Sequence, residues 1–199
     1  MNIALDRIDT VVVGASAGGL ALIKSIIGAL PKDCPPVIVV QHLADLHESH
    51  WIDHLEEMGV VRVKEADEKE HILSGTVYLA PGNYHLLVEP DRTFSLTIDQ
   101  RVNFARPSIN VLFETAAEAY GPALLGIILS GGNSDGADGA RRIKERGGSL
   151  IVQDPSVSEV AAMPQAAIQA TQPDAILAPA AIMQLLSQLH HNKIKTSSQ

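Results

Sequence analysis

Three residue types, far apart in this chain, would make an acyl-transfer site if the fold gathered them: Ser16, His42 and an aspartate, either Asp135 or Asp138. A serine hydroxyl is a weak nucleophile until a base takes its proton. Histidine suits that task near neutral pH, and a carboxylate can fix the imidazole tautomer and stabilise its cation. Each residue lies in a segment suited to exposing it. Ser16 stands in Gly14-Ala15-Ser16-Ala17-Gly18-Gly19, which matches G-x-S-x-G, a pattern that lifts a nucleophile out of a tight turn. His42 directly follows the apolar run 37–40 and Gln41, and both aspartates lie in the glycine-rich stretch 130–139.

The elements that must position these residues are legible from apolar runs and turn residues. Val11-Val12-Val13 reads as a strand buried on both faces, followed by a helix over 20–30; residues 37–40 read as a second such strand. Residues 48–58 predict a helix ending at Gly59. Four short strands are expected at 60–63, 76–80, 85–89 and 93–98, as an antiparallel addition with turns at Pro81-Gly82-Asn83 and Pro90-Asp91-Arg92. Arg106-Pro107-Ser108 opens a helix to Tyr120, with Pro107 in its first turn. A buried strand at 123–129 follows, then a helix to Arg146, a strand at 149–153, a helix over 160–170, a strand at 175–177 and a helix over 179–189. Strands alternating with helices specify an α/β fold: a doubly wound, mostly parallel sheet with helices on both faces and a short antiparallel strand addition. Loops at the carboxyl edge of such a sheet are where ligands bind, so Ser16, His42 and the two aspartates share one edge.

Other readings of the same residues are weaker. The first glycine loop is not a dinucleotide fingerprint, because Ser16 replaces the second glycine and Gln41-His42 replaces the acidic residue that holds a ribose. A purely structural glycine turn remains open on this motif alone. The order Ser…His…Asp differs from the Ser…Asp…His order of α/β-hydrolases. His47, His50 and His54 share a helical face, but the H-E-x-x-H pairing of zinc helices is missing, so no metal is expected. His85 is a second candidate base at the start of a strand.

The chain has 199 residues, 46% hydrophobic and 19% charged, which fits one globular domain over 1–190 with a polar tail over 191–199. A formal charge of −8 without a basic cluster argues against nucleic-acid binding. The single cysteine, Cys34, excludes an internal disulfide and fits a reducing compartment. No membrane span or signal peptide is legible, so a cytoplasmic location without membrane insertion is expected.

From about Ile8 to Leu189 the chain resembles the catalytic domain of the CheB family of chemotaxis protein-glutamate methylesterases. The resemblance is carried in order by the Gly14–Gly19 loop, Val40-Gln41-His42, Tyr78-Leu79-Ala80-Pro81-Gly82-Asn83-Tyr84-His85, Arg106-Pro107-Ser108-Ile109-Asn110-Val111-Leu112-Phe113, Ile128-Leu129-Ser130-Gly131 through Asp135-Gly136-Ala137, and Val160-Ala161-Ala162-Met163-Pro164. It implies a cofactor-free serine esterase acting on γ-glutamyl methyl esters of chemoreceptor cytoplasmic helices or a similar methylated protein, with glutamine deamidation as a second activity. Position by position it implies Ser16 as nucleophile, His42 as base and Asp135, not Asp138, as orienting acid. Ala17, Gly131 and Gly132 fall where oxyanion donors are expected, and Arg106 and Met163 match substrate-side positions. The family loop usually reads Thr-Gly-Met-Gly where this chain has Ser130-Gly131-Gly132-Asn133. Family members usually carry an N-terminal receiver domain; with the first strand about ten residues in, a catalytic domain without one is expected, either a stand-alone esterase or a fragment of a longer protein. The alternative expectation is a catalytically weak adaptor that binds methylated or glutamate-rich helices at the same edge.

Overall fold

A computed structural model describes residues 3–42 and 60–190. The predicted helix over 48–58, the histidines at 47, 50 and 54, and the tail over 191–199 lie outside the described residues.

The core is a seven-stranded, wholly parallel sheet. Its strands are β1 (Thr10–Ala15), β2 (Val37–Gln41), β3 (Arg62–Glu65), β4 (Thr76–Leu79), β7 (Leu124–Ile128), β8 (Ser149–Gln153) and β9 (Ala175–Leu177), in the order β3-β4-β2-β1-β7-β8-β9. The helices are α1 (Gly19–Ala29), α2 (Ile109–Tyr120), α3 (Ala137–Glu145), α4 (Ala162–Ala170) and α5 (Pro179–Leu186). Along β1 successive side chains point to opposite faces, so Val11 and Val13 join one core and Val12 the other. On the first face Val11 and Val13 pack with Ile23, Ile26 and Ile27 of α1 and Ile182, Leu185 and Leu186 of α5. On the second, Val12 packs with Leu112 and Phe113 of α2, Ile143 of α3 and Ala167 of α4. Because both faces are covered, every residue of β1 is buried.

Two expectations change. The segments 60–63 and 76–80 are not antiparallel: β3 and β4 pair in parallel with each other, and β4 pairs in parallel with β2. Of the four expected strands, only β5 (His85–Val88) and β6 (Phe94–Thr97) form an antiparallel pair, a separate hairpin whose Leu86, Val88 and Phe94 join the second core. The reason is burial. All four residues of β4 are buried, which a central parallel strand requires and a half-solvated hairpin does not. Pro107 precedes α2 instead of occupying its first turn; Ser108 is the residue before the helix.

Strand order places the site. The chain leaves β1 through α1 towards β2 on one side, and leaves β7 through α3 towards β8 on the other, with the two helices on opposite faces. The loops after β1 and β7 therefore diverge and open a crevice at the carboxyl edge, the place where open α/β sheets bind ligands.

Candidate active site

Ser16 follows the last residue of β1 and His42 the last residue of β2. Their strands pair in the register Ala15↔Gln41, so the two residues emerge side by side. The ladder runs on past the strand ends: His42 N–H donates to the Ala15 carbonyl at 2.9 Å and Ser16 N–H to the Ser130 carbonyl at 2.9 Å. Gln41 bolts the pair from behind, its side-chain amide donating to the carbonyls of Ser16 (2.9 Å) and His42 (2.8 Å). Ser16's hydroxyl makes no hydrogen bond to a described residue and faces a cleft of about 540 Å³ that His42 also lines.

Behind His42 lies Asp135. His42 Nε2 is 2.9 Å from Asp135 Oδ2, with the imidazole 14% exposed and the carboxylate fully buried. Three more donors reach the same carboxylate. Oδ1 accepts from Ser108 Oγ at 2.8 Å and Asn110 N–H at 3.2 Å, and Oδ2 accepts from Ile109 N–H at 2.7 Å. Ile109 and Asn110 open α2, so the carboxylate caps unpaired amides at a helix N-terminus, where negative charge is favoured. Burial alone would raise this carboxyl's pKa. The hydrogen bonds from His42, Ile109 N–H and Ser108 outweigh burial and hold it below the ordinary range, so it is ionised at neutral pH. With Nε2 committed to Asp135, Nδ1 is the ring nitrogen left without a partner among the described residues.

Asp138 is elsewhere. It lies in the first turn of α3, 62% exposed, and pairs with Arg141 at 3.2 Å. His85 is buried, with Nε2 on the Gln100 carbonyl at 3.0 Å, and does not line the cleft. Burial pushes the Cys34 thiol up to about 11, which leaves it unreactive.

The donors expected to face an oxyanion separate into those at the cleft and those in the packing. Ala17 lines the cleft, and its N–H is unengaged among the described residues, just before α1. Gly18 beside it has φ 77°, and a Cβ there would meet both Glu159 and Ser130. That loop admits glycine because it is left-handed and crowded at once. Gly131 is no free donor: its N–H is given to the Val160 carbonyl at 3.0 Å, and its own carbonyl accepts from Met163 N–H at 2.9 Å. Met163 is buried against Gly131, where a Cβ would collide with its thioether, so it packs the loop from beneath and does not touch the cleft. Gly132 is exposed and outside the cleft lining, with an unengaged N–H among the described residues. Arg106 does line the cleft. Its Nη1 donates to the carbonyls of Ile98 (2.7 Å) and Asp99 (3.0 Å), tying down the segment before α2.

Several contributors escaped sequence reading. Ser130 Oγ donates to the Ala17 carbonyl at 2.7 Å and accepts from Val160 N–H at 2.9 Å, and Ser130 N–H donates to Gln153 Oε1 at 2.8 Å. This network stitches the loops after β1, β7 and β8 into one frame. Asn133, Arg101 and Phe104 also line the cleft. For Ser108 a signal existed: a small hydroxyl residue directly before a helix, free to serve a group other than its own helix.

The CheB methylesterase family profile matches residues 11–186. The chain belongs to the CheB methylesterase family. A Leptospira interrogans protein whose inferred name is protein-glutamate methylesterase/protein-glutamine glutaminase is 48% identical over 188 residues, covering 94% of this chain and 97% of its own. A protein-glutamate methylesterase/protein-glutamine glutaminase of Maricaulis maris is 36% identical over 175 residues, covering 86% of this chain but 44% of its own. The crystal structure of the Thermotoga maritima CheB methylesterase catalytic domain superposes with a TM-score of 0.85 at 32% identity, covering 92% of this chain and 98% of that one. The seven-stranded fold with its small antiparallel pair is thus the fold of a CheB catalytic domain.

Proposed function

We propose that this chain is a serine esterase that hydrolyses γ-glutamyl methyl esters on a protein, giving glutamate and methanol. The observation that carries the reading is the His42–Asp135 pair held beside Ser16 on the floor of a cleft, in a chain of the CheB methylesterase family. The relatives' names are those of enzymes, which favours hydrolysis over the adaptor alternative.

In this reading Ser16 Oγ attacks the ester carbonyl carbon while His42 Nδ1 takes its proton. Asp135 stabilises the resulting imidazolium through Nε2. The tetrahedral oxygen faces the Ala17 N–H at the entrance to α1, where the helix terminus adds favourable potential. Collapse breaks the carbon–methoxy bond, and His42 returns the proton to the leaving methanol. A water then loses a proton to His42 and attacks the acyl-serine; the carbon–Oγ bond breaks, His42 returns the proton to Ser16 Oγ, and glutamate leaves. With a glutamine side chain the same steps expel ammonia, which agrees with the second half of the relatives' names. No cofactor takes part in any step.

The natural substrate in this proposal is a methylated chemoreceptor helix or a similar methylated protein met in the cytoplasm. No helix among the described residues is long and apolar enough to cross a membrane. The test is methanol release from a synthetic peptide carrying one γ-methyl glutamate, combined with mass spectrometry after phenylmethylsulfonyl fluoride treatment. Turnover, with the adduct on Ser16 and loss of activity, is the expected result. Tight peptide binding without methanol release would overturn the reading in favour of the adaptor.

A further inference from the structure

Between β6 and α2 the chain doubles back at Asn103 and Phe104. Val102 N–H donates to the Ala105 carbonyl at 3.1 Å and Ala105 N–H returns to the Val102 carbonyl at 2.9 Å, closing a two-residue turn. Both central residues are left-handed, with φ 48° at Asn103 and 65° at Phe104. That is the paired geometry of a type I′ turn, which takes asparagine readily at its first position and strongly prefers glycine at its second. Phenylalanine there carries the steric strain of a Cβ in the left-handed region. Its ring recovers nothing by burial, because it is 94% exposed. The turn is nonetheless anchored: Arg101 Nη1 holds the Phe104 carbonyl at 3.3 Å, and Arg106 holds the base of the segment.

Strain retained together with an exposed aromatic ring points to a use outside the folded chain. Arg101, Asn103, Phe104 and Arg106 all line the cleft that holds Ser16 and His42. Among the described residues the charged side chains lining the cleft are Arg101, Arg106 and Glu65, a net positive set within a chain of net charge −8. A cleft of about 540 Å³ also exceeds what one methyl ester side chain fills.

We propose that Phe104 is a docking residue for an acidic protein segment. Its ring covers an apolar side chain next to the ester-bearing residue, while Arg101 and Arg106 face neighbouring carboxylates. The proposal rests on the esterase reading above. It makes Phe104 a determinant of preference for protein over small esters.

The test compares p-nitrophenyl acetate with a synthetic peptide in which one γ-methyl glutamate is flanked by leucine and glutamates. Phe104→Gly should lower kcat/KM for the peptide about tenfold more than for p-nitrophenyl acetate, acting through KM, as loss of an aromatic anchor does. Its melting temperature should hold or rise, because glycine relieves the left-handed position. Phe104→Trp should keep the peptide preference. Equal losses on both substrates, no loss on either, or a lowered melting temperature would overturn the proposal. So would light scattering that shows a wild-type dimer and a Phe104→Gly monomer, since the ring would then serve a second copy of this chain. A wild-type protein that turns over neither ester defeats the esterase reading itself, a result distinct from all of these.

Discussion

At the scale of single residues, the proposed mechanism divides the site into groups that move protons and groups that hold them still. Ser16→Ala and His42→Ala should each remove ester turnover by on the order of 10⁶-fold, as in other hydrolases whose serine and histidine act as a unit. A circular dichroism spectrum and melting curve close to wild type are expected beside that loss, since neither side chain fills the core. Asp135→Asn should cost on the order of 10⁴-fold by offering His42 the wrong tautomer. Asp138→Asn, which breaks only the exposed pair with Arg141, should stay within a few-fold of wild type. Activity assays on both variants decide which aspartate orients the base. Acid stability reports on the same carboxylate. Its folded pKa lies below its unfolded value, about 3.9, so its stabilisation is present above that pH and is lost as pH falls through the depressed folded value. Ser108→Ala removes one donor, so the folded value rises and acid unfolding should begin at a higher pH than in wild type, read by fluorescence titration. Ser16, His42 and the aspartate pair were legible in the sequence because strand ends and glycine turns announce where a side chain is exposed. The amides of Ile109 and Asn110 were not, because a backbone N–H has no residue type to betray it.

At the scale of elements, β1 and α2 fix the spacing of the whole site. Gly14 in β1 lies directly under Ile109, and a Cβ there would overlap the isoleucine's Cγ2. Gly14→Ala should therefore destabilise the protein by about 1–3 kcal/mol through overpacking, seen as a fall in melting temperature of roughly 2–10 °C. Activity should drop as well, because Ile109 carries one of the amides that hold Asp135. The buried strands of the parallel core were readable from continuous apolar runs, β1, β2, β7 and β8 most plainly. β3 and β4 misled because each is only four residues long, with turn residues close by. Nothing in a short run tells a hairpin strand from one reached by a crossover; the distant partner β2 decides it. The misplacement of Gly131 and Met163 has the same origin. Their contact with each other and with Val160 is made by loops after two different strands.

At the scale of the whole molecule, the proposed hydrolysis uses only proton transfer and backbone donors, so activity should survive exhaustive dialysis against a strong chelator. Full inactivation reversed by zinc would instead assign the chemistry to a metal. The parallel topology has a further consequence. Ser16 and His42 follow strands that are neighbours in sequence, whereas Asp135 follows β7, which pairs with the far side of β1. Residues 3–42 and 60–100 alone would hold the proposed nucleophile and base without the carboxylate that orients them. In the proposed mechanism the proton relay is complete only once β7 is paired in the middle of the sheet, so ester turnover would report on completion of the fold.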